Sequence, residues 1–173
     1  GFNETRNGVI EILQLMDADI EVREENVSSG EPVADILVRT SSLSGVNIPL
    51  ELIPAAIDEF PAIFIAAACA KGVTILRGAE ELRHKESDRI SVMADGLRNL
   101  GIAVETYPDG ISITGGNMTG GLIDAHGDHR VAMAFAMAAL KASGTVSIKN
   151  AEGISTSFPT FFEVARLAGL RIK

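Results

Sequence analysis

Apolar positions along the chain change period several times, and one phrase recurs. From Thr5 to Met16 they fall at helical spacing. Asp17-Ala18-Asp19 then makes a turn, and Ile20-Glu21-Val22 alternates as a strand does. The same phrase runs from Ser87-Asp88-Arg89 to Leu100, through Gly101, into Ile102-Ala103-Val104-Glu105. A third copy runs from Ser157-Phe158-Pro159 to Ala168, through Gly169, into Leu170-Arg171-Ile172. Recurrence of helix, tight turn and strand marks an architecture of repeated units. Gly101 and Gly169 stand where a helix end needs a left-handed residue. The first copy places Ala18 or Asp19 there.

Two further helical runs are apolar on almost every side: Pro61 to Ala70, with Pro61 in its first turn and Gly72 ending it, and Asp128 to Leu140. A helix without a polar face belongs in the interior. Short strands are predicted at 36–39, 73–76, 111–114 and 145–148. Pro108-Asp109-Gly110 marks a hairpin turn before the third of these. The pattern predicts an α+β fold in one domain, residues 1–173, with buried helices wrapped by sheets and outer helices. No G-x-G-x-x-G follows a strand and no G-x-x-x-x-G-K-[ST] occurs, so nucleotide-binding loops are not indicated.

Composition narrows the picture. The chain has 173 residues, 46% hydrophobic, 5% aromatic, with no Trp. Ala, Ile, Leu and Val must therefore supply most of the core. The net charge of -8 opposes general attraction to nucleic acid or an anionic membrane. The apolar run from Val131 to Leu140 is half the length of a bilayer span. One cysteine, Cys69, excludes an internal disulfide and reads as a small core residue in a reducing compartment. The first residues are Gly1-Phe2-Asn3, already close to a helical pattern, so the chain is expected to be cut from a longer polypeptide.

Candidate chemistry gathers in four places. Glu80 to Arg89 is a dense charge run before a helix whose cap is expected at Ser87 or Glu86. Lys85 and Arg89 lie at its positive end, where an anion is favoured and a cation otherwise misplaced. A solvated, internally paired charge run explains the same residues. Asp124 to Arg130 opens the second apolar helix, with Asp128 as N-cap and Arg130 beside it. His126 and His129 lack a third ligand and make a weak metal site. Asp58 and Glu59 precede Phe60-Pro61 at the start of the first apolar helix. Asp58 is either a plain helix-start acid or a general base. Ser157 is expected to cap the last helix. If the units are related by rotation, these helix ends meet at one rim, which is expected to be locally positive.

These motifs together resemble a known family. Asp58-Glu59-Phe60-Pro61, Lys85-Glu86-Ser87-Asp88-Arg89, Gly127-Asp128-His129-Arg130 and Thr156-Ser157-Phe158-Pro159 stand in the order and spacing of the 5-enolpyruvylshikimate-3-phosphate synthases. The resemblance covers essentially the whole chain. It implies the enolpyruvyl transferase fold, in which each of two domains is built of three βαβαββ units. This chain is similar to the C-terminal domain, with the N-terminal domain absent. The family transfers the enolpyruvyl group of phosphoenolpyruvate to the 5-hydroxyl of shikimate 3-phosphate, releasing phosphate, in the shikimate pathway of aromatic amino-acid biosynthesis. It uses no metal or organic cofactor.

By resemblance, Asp58 is the proton acceptor that contacts the shikimate hydroxyls. Glu86 is the proton donor to the methylene, and Lys85 contacts the 3-phosphate near that transfer. Arg89 and Arg130 bind phosphoenolpyruvate. Some members carry Lys where this chain has Thr156; others share its Thr-Ser-Phe-Pro form. The resemblance further implies a cytoplasmic enzyme, monomeric at full length, with no nucleic-acid or membrane partner. The isolated chain is expected to be inactive. Two alternatives stand: an enolpyruvyl transferase of the UDP-N-acetylglucosamine type, against which Lys85-Glu86-Ser87-Asp88-Arg89 speaks, and a non-catalytic anion-binding module.

Overall fold

The computed structural model of the chain describes residues 1–172. Helix α1 (Gly8–Leu15) leads into an antiparallel ribbon, β1 (Asp19–Ser28) and β2 (Glu31–Arg39). Next come α2 (Ile53–Ala56), α3 (Phe60–Cys69), β3 (Val73–Leu76), α4 (Arg89–Asn99) and the hairpin β4 (Ala103–Tyr107) and β5 (Gly110–Thr114). Strand β6 (Gly121–Asp124), α5 (His129–Ala138), β7 (Val146–Lys149), α6 (Gly153–Ser157) and α7 (Phe161–Leu167) complete the order. Strand β5 lies between β3 and β4, antiparallel to both, and β6 pairs with β7 in parallel. A parallel pair needs a crossover, and α5 supplies it.

The units can be superposed by their connectivity. Residues 44–48 run parallel beside β3 through bridges at Ser44–Lys71 and Asn47–Ile75, as β6 runs beside β7. An interior helix follows each, α3 in one case and α5 in the other. Then come a strand, an outer helix and, where present, a hairpin. The second unit shows all of these parts. The first shows the outer helix α1 and its ribbon, and the third runs from β6 to α7.

The three outer helices end alike. Ala18 N–H donates to Leu13 and Asp17 N–H to Gln14 at 2.9 and 3.0 Å. Ile102 donates to Leu97 and Gly101 to Arg98 at 3.0 and 2.9 Å. Leu170 donates to Ala165 and Gly169 to Arg166 at 2.9 and 3.0 Å. Each is a Schellman closure around one left-handed residue. Gly101 and Gly169 hold it at φ 85° and 99°, as the repeat predicts. In the first copy the residue is Asp17, at φ 67°, rather than Ala18 or Asp19. A short polar side chain tolerates that region better than Ala does. Residues 170–172, predicted as a strand, form none: no described strand runs beside them, and alternation without a ladder partner does not make one.

Helices α3 and α5 form the interior, as their composition predicts. Phe60, Ile63 and Phe64 of α3 and Val131, Ala132 and Phe135 of α5 are buried. Helix α4 covers them with Ile90, Met93, Ala94 and Leu97, an i, i+3, i+4, i+7 stripe. It passes Phe135 at Gly96, where a Cβ would overlap the ring. Cys69, expected in the core, is only partly buried. It is the last residue of α3 and borders an open groove beside Lys71 and Lys141. No single helix among the described residues is long and apolar enough to cross a membrane.

Candidate functional site

The site forms where the N-termini of α3, α4 and α5 meet. Asp88, not Ser87 or Glu86, caps α4. Its carboxylate accepts from Ser91 N–H at 3.0 Å and from the Ser91 hydroxyl at 2.8 Å. Arg83 Nη1 donates to Asp88 at 2.6 Å, and Arg83 Nη2 donates to the Tyr107 carbonyl at 2.6 Å. Arg83 and Asp88 of the charge run are thus structural, and the run is also paired internally through Lys85–Glu81 and Glu86–Arg89. Lys85, Glu86 and Arg89 turn toward the rim.

Asp128 caps α5 as predicted, and it does more. One carboxylate oxygen accepts from the N–H groups of Arg130 and Val131 at 2.9 and 3.3 Å. The other accepts from Arg89 Nε at 2.9 Å and the Ser87 hydroxyl at 3.1 Å. Both Asp128 and Arg89 are fully buried. This pair ties the start of α4 to the start of α5. Burial pushes the Asp128 carboxyl up, but the hydrogen bond and charge of Arg89, together with the hydrogen bonds from Val131 N–H and Ser87, hold the group below its ordinary value.

Around this pair the structure gathers all five residues singled out in the sequence. Asp58, in the turn before α3, lies 3.4 Å from Arg89 Nη1, 3.5 Å from Lys85 Nζ and 3.9 Å from Arg130 Nη2. Glu86 meets Arg89 Nη2 at 2.6 Å. Arg130 Nη1 donates to the Asp58 carbonyl at 3.1 Å and to Glu59 at 3.4 Å. Lys85 also donates to Glu81 at 2.5 Å. Its ammonium pKa is raised, chiefly by that hydrogen bond and also by Asp58. Burial opposes ionisation of Asp58, yet Arg130, Lys85 and Arg6 together keep its carboxyl below the usual range.

Two expectations need correction. The rim is not locally positive: Arg6, Lys85, Arg89 and Arg130 each have at least one carboxylate partner. A buried guanidinium is too costly to leave without a counter-ion, so the fold supplies one. The fourth helix start also differs. Residues 153–157 are themselves helix α6, Ser157 is its last residue, and α7 begins after Thr160 without a side-chain cap. Gly153 packs against Gly127 and His129, which sets α6 beside the start of α5, with Thr156 exposed.

The sequence assigns no role to two further residues of the cluster. Arg6 Nη2 donates to Asp58 at 3.2 Å and to Glu59 at 2.9 Å, across 52 and 53 residues of chain. Glu59, in the turn before α3, faces both Arg6 and Arg130. The only local signal near Arg6 is Asn3, whose side chain accepts from Thr5 N–H at 3.0 Å and caps a short 3-10 turn, Glu4–Arg6. Among the described residues no group of three or more His, Cys, Asp or Glu side chains is placed to hold a metal ion.

The family model of EPSP synthase (3-phosphoshikimate 1-carboxyvinyltransferase) matches residues 1–165. The chain belongs to that family. A curated 3-phosphoshikimate 1-carboxyvinyltransferase of Nitrosococcus oceani is 60% identical over 173 residues, covering 100% of this chain and 39% of the relative. The solved EPSP synthase of Acinetobacter baumannii superposes with a TM-score of 0.97 at 53% identity, over 100% of this chain and 41% of that one. The enolpyruvyl transferase NikO of Streptomyces tendae shares the fold, with a TM-score of 0.71 at 20% identity, over 96% of this chain and 36% of its own. The enolpyruvyl transferase fold predicted from the motifs is therefore the fold of this chain, an α+β domain. The chain spans about two fifths of the length of the EPSP synthases it matches.

Proposed function

We propose that this chain supplies one face of an active site that moves the enolpyruvyl group of phosphoenolpyruvate to the 5-hydroxyl of shikimate 3-phosphate, releasing phosphate. The observation that carries this reading is the convergence of Asp58, Lys85, Glu86, Arg89 and Arg130 on three helix N-termini in a chain of the EPSP synthase family. Arg89 and Arg130 offer guanidinium forks, which suit a carboxylate or a phosphate. Lys85 offers a point charge to the 3-phosphate.

The chemistry divides between two carboxyls. Asp58, ionised among its cations, takes the proton of the 5-hydroxyl as that oxygen bonds to C2 of phosphoenolpyruvate. Glu86 gives a proton to C3, and a tetrahedral intermediate results. The Glu86 carboxylate then takes back a proton from C3 as phosphate leaves C2 with the proton held by Asp58, which restores the double bond in the product and both carboxyls. The pairing of Glu86 with Arg89 links binding to this step. An anion that takes over Arg89 leaves Glu86 without its guanidinium partner and free to turn toward C3. The opposite face of the site comes from the remaining three fifths of the full-length protein, a cytoplasmic monomer.

The test is phosphate release from phosphoenolpyruvate plus shikimate 3-phosphate. The full-length protein should turn over, this chain alone should not, and mixing it with a separately made N-terminal portion should restore some activity. A full-length protein that released no phosphate would remove this reading.

A further inference from the structure

Arg6 is the one guanidinium of the cluster to which the motifs assign no role. We propose that it is a positioning residue, which holds the Asp58–Glu59 turn and keeps Arg130 available to the anionic substrate. This rests on the enolpyruvyl-transfer reading above.

Glu59 immediately precedes α3 but makes no side-chain capping bond. Its Oε1 accepts instead from Arg6 at 2.9 Å and from Arg130 at 3.4 Å, while its Oε2 is buried without a partner. Glu59 is therefore a competitor. Any charge it directs at Arg130 is charge an incoming carboxylate or phosphate must displace. Arg6 makes the shorter contact and draws Glu59 to its own side. With the same Nη2 it reaches Asp58 Oδ2 at 3.2 Å, on the side away from Lys85 and Arg89, which approach Oδ1. Arg6 is half exposed, so it spends little on burial, and its place is set by the turn that Asn3 caps.

Asp58 faces Arg6 from the N-terminal turn, Lys85 and Arg89 from the start of α4, Arg130 from α5, and Glu59 beside it; Glu86, Asp128 and Glu81 lie behind those cations. Removing Arg6 takes away one cation and leaves Glu59 to Arg130 alone. Two effects follow. Phosphoenolpyruvate meets a more fully paired Arg130, and Asp58 titrates at higher pH.

The experiment uses the full-length protein with Arg6→Met, Arg6→Lys, Glu59→Gln and Arg6→Met/Glu59→Gln. Arg6→Met should raise KM for phosphoenolpyruvate roughly fivefold, the scale of a half-exposed ion pair, and KM for shikimate 3-phosphate by less than about twofold. The acidic limb of kcat/KM should move to higher pH. Arg6→Lys should recover part of the loss. Adding Glu59→Gln to Arg6→Met should return KM for phosphoenolpyruvate to within about twofold of the parent, because a neutral amide no longer competes. Additive losses in the double variant, or an unchanged KM and acidic limb in Arg6→Met, would overturn the proposal. If Arg6→Met does not fold, Arg6→Lys against Arg6→Lys/Glu59→Gln carries the same comparison. If the parent shows no turnover, the enzymatic reading fails by itself. Carboxyl NMR of Asp58 then decides on Arg6, whose loss must raise the Asp58 pKa; an unmoved titration rejects the positioning role.

Discussion

Asp128→Ala separates the structural part of the site from its chemistry. The substitution removes the N-cap of α5, two N–H acceptances at 2.9 and 3.3 Å, and strips the buried Arg89 of its nearest buried counter-charge. Losing a cap costs about 1 kcal/mol. Leaving a buried charge uncompensated costs about 3–5 kcal/mol. Arg89 keeps Glu86 at 2.6 Å, so the lower end applies and the total comes to about 4 kcal/mol. That is a large share of the roughly 5–15 kcal/mol that holds a domain together. Asp128→Asn keeps a good cap and loses only the charge, so it should cost about 1 kcal/mol less than Ala.

Urea unfolding of the chain, followed by circular dichroism, measures both. With a slope of about 2 kcal/mol/M the Ala midpoint should fall by about 2 M. The pH dependence has a definite sign. The folded carboxyl titrates below its unfolded value, so its contribution is complete above about pH 4 and is lost as pH falls through the folded pKa. Asp128→Asn should flatten that acid limb. A loss under about 1 kcal/mol for Ala, or an Asn variant as stable as the parent, would refute the buried-pair account.

Gly96→Ala should destabilise the fold by about 2 kcal/mol: about 1 is gained in helix propensity and about 3 lost by overlap with Phe135. The thermal midpoint reports it, and a stabilised variant would contradict the packing. In the full-length protein, Arg130→Ala should raise KM for phosphoenolpyruvate by a factor on the order of 100, and far less for shikimate 3-phosphate, as expected for loss of a charge-assisted hydrogen-bond pair. Equal losses for the two substrates would count against its role. Asp58→Asn should cut kcat by a factor of about 100 or more with the melting curve little changed, and retained turnover would exclude it as the base.

Much of the site was legible because its signals are local. Pro61 near the start of one apolar helix and Asp128 before the other mark the two interior helix starts within a few residues each. Gly101 and Gly169 mark two of the three repeated helix ends, and only Asp17 hid the third, because Asp is a common residue with many other uses. The starts of α4 and α7 differ from expectation for a related reason. Ser87, Asp88 and Ser157 all have side chains able to cap, and choosing among them needs the backbone path. Periodicity places Cys69 in the core because it shows which helix is buried, not which end of it opens on a groove.

The sequence by itself determined most of the helices and strands, two of the three repeated helix ends, the family and the five residues of the rim. Those follow from neighbours a few positions apart and from motifs read in order. Tertiary structure decided what those residues do to one another. It buried Arg89 against Asp128, 39 residues away, brought Arg6 to Asp58 across 52, and gave every rim cation a carboxylate. Local pattern sets where a helix begins. The partners of its first charged side chain depend on which other helix ends arrive beside it, and their strength depends on how much water is excluded when they do.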